Sequence, residues 1–259
     1  MERGWYIEDI YELRRLPASS TNPILVKTGW VFLNRLSFPS PEEQLKKYLE
    51  CSSLGNWTPI IFALAEFSSL NGRQDTLIAT ELKDFRHLDG YLLWKNCPKI
   101  FDSQIRALLK ASYFRKAWIA LPSIRKKSEL HSALATIEKI MDQLNDQRSP
   151  FDRYPKVGIK INSIFALRHI EDLLESDFLI FDFDSIFTHL LGIPFRSPVL
   201  RDYLGLMEEE METLSRWLEP VPFEEKWCGF ISALSPEEWK KTGQLGWEAY
   251  FRRILPENE

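Results

Sequence analysis

Residues 156–192, KVGIKINSIFALRHIEDLLESDFLIFDFDSIFTHLLG, read as strand, helix, strand and the start of a second helix. Residues 157–161 are a short β-branched run. Ile164, Leu167, Ile170, Leu173 and Leu174 then recur at helical spacing, and residues 178–183 form a second apolar run. Two nearly uninterrupted apolar strands joined by one helix make a βαβ unit. This predicts a parallel sheet covered on both faces, with ligands gathered at the carboxyl ends of its strands. Asn162 stands at the end of the first strand, and Asp182, Asp184 and Ser185 at the end of the second. Asp182 and Asp184 alternate with Phe181 and Phe183, which on a continuing strand turns both carboxylates to one face. Near a barrel mouth such a pair needs a cation, a shared proton or solvent.

Working outward, 259 residues that are 44% apolar and 13% aromatic can bury a sizeable core and suit one α/β barrel as a single domain. A formal net charge of −4, dispersed along the chain, gives no electrostatic ground for a nucleic-acid partner. No stretch approaches the roughly 18 uninterrupted apolar residues of a membrane span, so no membrane association is expected. The N-terminal MERGWYIEDIYELRR has no apolar core for export, and Cys51, Cys97 and Cys228 are widely spaced without CxxC. A reducing cytoplasm is therefore expected. The histidines at 87, 131, 169 and 189 show no metal-ligand spacing, and His189 reads as a satisfied histidine on a helix.

Residues 1–24 read as a poorly defined N-terminal segment in which 7–16 form a short helix or an irregular first strand, with the barrel over 25–259. Apolar runs at 23–27 and 30–33 precede Ser40, which can cap a helix with Pro41 at its first position and Glu43 in its first turn. A buried strand follows at 59–67, then a polar loop and an ill-defined helix over 70–95. Ile105, Leu108 and Leu109 mark an apolar helical stripe, 117–122 a strand and 128–145 a long amphipathic helix. A further helix runs from 197 to about 218 and is ended by Pro220, ahead of a strand-like run at 226–236 and a closing one at 243–250.

These residues resemble the PEP-utilising enzymes, especially the PEP-binding barrel of the PEP–protein phosphotransferases. Gly158-Ile-Lys-Ile-Asn162 is similar to a family strand ending in G-x-M-I-E, and 177–185 to D-F-x-S-I-G-T-N-D. Phe101-Asp-Ser-Gln-Ile-Arg106-Ala-Leu-Leu-Lys-Ala-Ser112 is similar to F-x-x-Q-L-R-A-I-L-R-A-S, and Pro39-Ser-Pro-Glu-Glu-Gln44 to P-T-E-E-E-Q. The likeness covers residues 25–251 and implies a single (β/α)8 TIM barrel of the phosphoenolpyruvate/pyruvate superfamily. It further implies Arg35, Arg106 and Arg196 as anion-binding residues, Arg196 lying one place from the family position at Phe195. Cys228 falls on the acid that protonates the enolate of pyruvate. The family's two metal carboxylates fall on Asn162 and Ser185, and two of its substrate arginines on Ala63 and Leu92. An Mg²⁺ site would then need Asp184 or Asp182, after a one-residue slip.

Each of these residues also has a plainer reading. Arg35 and Arg106 could simply pair with acidic neighbours such as Glu66, Cys228 could be a small buried hydrophobe, and the aspartates a solvated strand end. The first functional expectation is a pseudoenzyme, a binding, scaffolding or regulatory module with no cofactor, taking a small PEP-like anion or a protein partner. The resemblance implies a homodimer. It also implies that phosphotransfer needs a histidine-bearing domain that these residues do not include. The alternative is a PEP/pyruvate-type enzyme, a phosphotransferase barrel or a lyase, with a relocated Mg²⁺ site and a separate phosphohistidine domain.

Overall fold

Side chains on a barrel strand alternate between two apolar destinations, the interior and the helix layer, so short strands of nearly continuous hydrophobicity are what a closed parallel sheet needs. The structure, a computed structural model, describes residues 2–17, 21–33, 35, 37–56, 59–66, 82–85, 88, 90–192, 210, 213–232 and 249–253. Its strands are β1 (Glu2–Ile7), β2 (Ile24–Lys27), β3 (Ile60–Ala63), β4 (Ala117–Leu121), β5 (Val157–Ile161), β6 (Phe178–Asp182), β7 (Trp227–Ser232) and β8 (Ala249–Arg253). They pair in sequence order, all parallel, and β8 closes on β1. The helices are α1 (Ile10–Arg15), α2 (Pro41–Ser53), α3 (Gly90–Asn96), α4 (Pro98–Phe114), α5 (Lys127–Asp146), α6 (Ile164–Arg168) and α7 (Phe183–Leu191). The expected (β/α)8 barrel is therefore present.

One boundary moves. Trp5 pairs with Ile24 of β2 on one side and with Arg252 of β8 on the other, so the first residues belong to the barrel instead of preceding it. Of the two expectations for 7–16 the helix holds: α1 follows β1, and its first turn is capped by the Asp9 side chain. Helix α2 starts as read, with Pro41 in its first turn and a reciprocal capping box between Ser40 and Glu43. Of the helix expected over 197–218 only 210 and 213–218 are described, and of the closing run only 249 and 250.

Inside the barrel, Tyr6, Leu25, Ile61, Ala63, Ala120, Phe178, Ile180 and Ile231 form one cluster with Trp118 and Trp227. Their outward-facing neighbours, among them Val26, Phe62, Ile119, Ile161, Leu179, Phe181 and Phe230, join the helices in a second and larger core. The floor is aromatic: Trp118 lies 5.0 Å from Phe178 and 5.2 Å from Trp227 between ring centroids. Gly158 makes room for it, since a Cβ there would stand 2.3 Å from the Phe178 ring. Gly158→Val is accordingly expected to cost roughly 1–3 kcal/mol through overpacking. An unchanged urea midpoint would show that this floor is not tightly packed.

The stretch that predicts the fold departs from it in two places. The helix expected through residues 164–174 is α6 followed by a 3₁₀ turn, Ile170–Leu173, joined by i−3 bonds from His169 N to Ala166 O and from Asp172 N to His169 O. Leu167, Ile170 and Leu173 are spaced by three, and the tighter period keeps all three buried. The second departure is at β6. The Asp182 side chain accepts the Ser185 N–H and starts α7, so Phe183 and Asp184 are already helical. Asp184 thus lies in a first helical turn and does not share a strand face with Asp182.

Candidate functional site

The carboxyl ends of β1 to β6 bring together charges that the strand sequences scarcely advertise. Lys27, last in β2, points inward; its Nζ lies 3.1 Å from Glu8 Oε1 and 5.2 Å from the Tyr6 ring centroid. Lys160 of β5 sits deeper and is only 4% exposed. Its ammonium contacts the Glu66 carboxylate, just beyond β3, and stands 3.5 Å from Asp182 Oδ2 at the end of β6. Asp182 therefore serves twice, one oxygen capping α7 and the other facing Lys160. Ser123, beyond β4, donates to Glu66 Oε1 at 3.4 Å and accepts from Asn162 Nδ2 at 2.7 Å. Ser123 has a φ of 42°, and Gly90 comes so close that a Cβ on it would lie 2.2 Å from Ser123 Cβ.

Burial alone would drive a lysine toward the neutral amine, and this is the largest single influence on Lys160. The charges of Glu66 and Asp182 outweigh it, so the Lys160 pKa rises above its ordinary value. Lys160 is a fixed ammonium at neutral pH and can serve as neither nucleophile nor general base. Burial likewise pulls Lys27 down and is overcome by its partners, leaving a net rise. Burial also raises the Tyr6 hydroxyl above its usual value, so at neutral pH the counter-charge of Lys27 comes from Glu8.

Behind the mouth lies a buried polar network. Gln104 of α4 donates to Thr28 Oγ1 at 2.6 Å and to the Tyr48 hydroxyl at 3.1 Å, and accepts the Ala65 N–H at 3.1 Å. Thr28 in turn donates to Ala63 O at 2.7 Å, and Tyr48 to Gln44 Oε1 at 3.1 Å. The glutamine of the F-x-x-Q motif thus holds the ends of β2 and β3 in place, and with them Lys27 and Glu66.

Other described residues singled out from the sequence have different partners. Arg35 pairs with Glu43 in the first turn of α2 at 3.1 Å. Arg106 lies in the helix layer and donates to Gln143 of α5. Arg196 falls outside the described residues. Glu66 does pair with a cation, but the cation is Lys160 and neither of the two arginines. Cys228 is the second residue of β7, opposite Leu179, 1% exposed and packed in the outer core. The β7 side chain that faces the interior at the level of Asp182 is Ile231, which is apolar and cannot act as an acid. In this position Cys228 packs as a small core hydrophobe does. His189 Nδ1 donates to Ser185 O of its own helix at 2.7 Å, as expected of a satisfied helix histidine.

The residues that sequence reasoning passed over are Lys27, Lys160 and Tyr6. A signal was available: a lysine inside an apolar strand such as VGIKI, with the parity of inward positions, must be buried and must therefore be paired. Thiol chemistry checks the placement of Cys228. Burial raises both the Cys97 and the Cys51 thiol, the latter to about 12, but Cys97 is only half-buried whereas Cys51 and Cys228 are enclosed. In native protein only Cys97 is expected to react promptly with an aromatic disulfide reagent, and all the thiols after unfolding. Prompt native labelling of Cys228 would return it to the mouth.

The family resemblance implies Mg²⁺ for an active barrel. Mg²⁺ sites rely on oxygen ligands with one or two carboxylates, and here Asn162 and Ser185 occupy the expected ligand positions. The carboxylates beside them, Glu66 and Asp182, are both held by an ammonium. Among the described residues no group of His, Cys, Asp and Glu is placed to hold a metal ion. The residues present do not fit a resident Mg²⁺.

The chain matches the family model for the PEP-utilising enzyme, PEP-binding domain over residues 15–189. It is similar to the phosphoenolpyruvate-protein phosphotransferase of Buchnera aphidicola subsp. Schizaphis graminum, at 22% identity over 242 residues that make up 93% of this chain and 42% of that protein. The phosphoenolpyruvate-protein phosphotransferase of Haemophilus influenzae is 22% identical over 223 residues, 83% of this chain and 38% of the relative. The chain thus spans about two fifths of the length of these curated relatives. Among solved structures, a citrate lyase from Burkholderia xenovorans LB400 superposes with a TM-score of 0.54 at 14% identity, covering 98% of this chain and 73% of that one. This likeness speaks to the fold alone. No helix among the described residues is long and apolar enough to cross a membrane.

Proposed function

Since the chain belongs to the family of the PEP-utilising enzyme, PEP-binding domain, we propose that it is a degenerate member, kept as a binding, scaffolding or regulatory module without metal-dependent phosphotransfer. One observation carries this reading: the mouth holds Lys160 clamped by Glu66 and Asp182; the family resemblance adds Asn162 and Ser185 at the positions of its metal carboxylates. Chemistry on PEP needs a divalent cation for the phosphate and the enolate oxygen, cationic side chains for the two anionic groups, and an acid facing the methylene carbon. The described mouth offers two ammonium groups, each already countered by carboxylate, and an isoleucine at the inward position of β7 level with Asp182.

In this reading the ligand is a small PEP-like anion or a protein partner, the barrel pairs with a second copy of itself, and the setting is cytoplasmic. Calorimetric titration with PEP, with and without Mg²⁺ and against pyruvate and phosphate, tests the central part. No Mg²⁺-dependent heat is expected. Saturable, Mg²⁺-dependent PEP binding would overturn the reading in favour of a working enzyme whose metal displaces Lys160 from Asp182. Sedimentation equilibrium should show a dimer, and a monomer at micromolar concentration would remove the self-association.

A further inference from the structure

Glu66, Ser123, Asn162 and Asp182 stand at or just beyond the ends of four consecutive strands, β3 to β6, and each carries a side-chain oxygen. Ser123 ties Glu66 to Asn162 through contacts of 3.4 and 2.7 Å. The Glu66 and Asp182 side chains are each 8% exposed and converge on the ammonium of Lys160, whose side chain is 5% exposed. Two carboxylates enclosed this closely cannot both remain charged without a cation between them. Lys160, rising from β5 between their strands, supplies that cation from within the chain.

We propose that the Lys160 ammonium is a tethered cation standing in for a dissociable divalent metal, with Glu66 and Asp182 as the carboxylate ligands of a latent, oxygen-lined divalent-cation site. The proposal rests on the reading above, in which the wild-type mouth takes no metal. Oxygen donors with two carboxylates suit hard cations such as Mg²⁺ and Mn²⁺. A divalent ion would match the two carboxylate charges that now face Lys160. Tethering has a functional consequence: the charge of the mouth is set by the sequence and is indifferent to metal supply and to chelators.

Thermal unfolding with Mn²⁺ or with chelator tests this on the wild type, on Lys160→Met and on Lys160→Met with Asp182→Asn. Methionine keeps the length of the stem and removes the charge, while asparagine keeps the helix cap and removes a ligand charge. Wild-type Tm should be the same in both conditions. Lys160→Met should gain about 5–10 °C when Mn²⁺ exceeds its Kd a hundredfold, and the second substitution should abolish the gain. A folded Lys160→Met without a gain overturns the inference and leaves the functional reading intact. A gain that survives Asp182→Asn overturns the assigned ligands. A gain in the wild type overturns the functional reading itself. If Lys160→Met does not fold alone, refolding from urea decides: recovery only with Mn²⁺ supports the latent site, and failure in both conditions overturns it.

Discussion

Lys160→Met is expected to lower folding stability by about 3–5 kcal/mol in chelator, the usual consequence of removing one partner from a buried ion cluster. Lys160 is the cation that Glu66 and Asp182 share, so its loss removes an ion-pair partner from two enclosed carboxylates at once. Replacing the whole cluster should cost far less, because neutral groups of similar shape leave no charge uncompensated. Lys160→Met combined with Glu66→Gln and Asp182→Asn is therefore expected to recover most of the loss, as read from urea midpoints. The pH dependence has a definite sign. The fold holds Lys160 above its ordinary 10.5, so its contribution is complete below about pH 10.5 and declines as the pH rises through the folded value. Wild-type stability should accordingly lose the Lys160 contribution only in strong alkali, and a loss near neutrality would mean that Lys160 is not held as an ammonium.

Gln104→Leu is expected to cost about 3 kcal/mol, the sum of one buried donor left without an acceptor and two hydrogen bonds lost. The orphaned donor is the Ala65 N–H, and the lost bonds are those to Thr28 and Tyr48. Volume is nearly conserved, so packing alone would predict a much smaller effect. Because Ala65 adjoins Glu66, the same change should loosen the grip on Lys160. In a double-mutant cycle, Gln104→Leu and Lys160→Met should therefore fall short of additivity. Full additivity would confine Gln104 to the helix layer.

The barrel was legible because parallel strands buried on both faces write themselves as short apolar runs, and 156–192 holds two of them flanking a helix. Capping chemistry was equally readable at Ser40. The first strand was obscured because ERGWYI mixes charge, glycine and aromatics, and its place in the barrel depends on β8 at the far end of the chain. The site was largely illegible for a different reason. Arginines and a cysteine attract notice as chemistry, yet Arg35 and Arg106 serve helix contacts and Cys228 fills the outer core. The parity of a strand decides which residues look inward, and register decides their depth. A slip of three residues along β7 separates Cys228, near the floor and facing out, from Ile231, near the mouth and facing in. The Asp182 cap likewise ended β6 before Asp184 could share its face, something period-two alternation could not foresee.

The most direct measurement is anomalous diffraction at the manganese edge from wild-type crystals soaked in Mn²⁺ and PEP. The account predicts no anomalous peak at the mouth and density for the Lys160 side chain running to Glu66 and Asp182. A manganese peak between Glu66 and Asp182, with Lys160 turned away, would contradict it and restore this barrel to the metal-dependent members of its family.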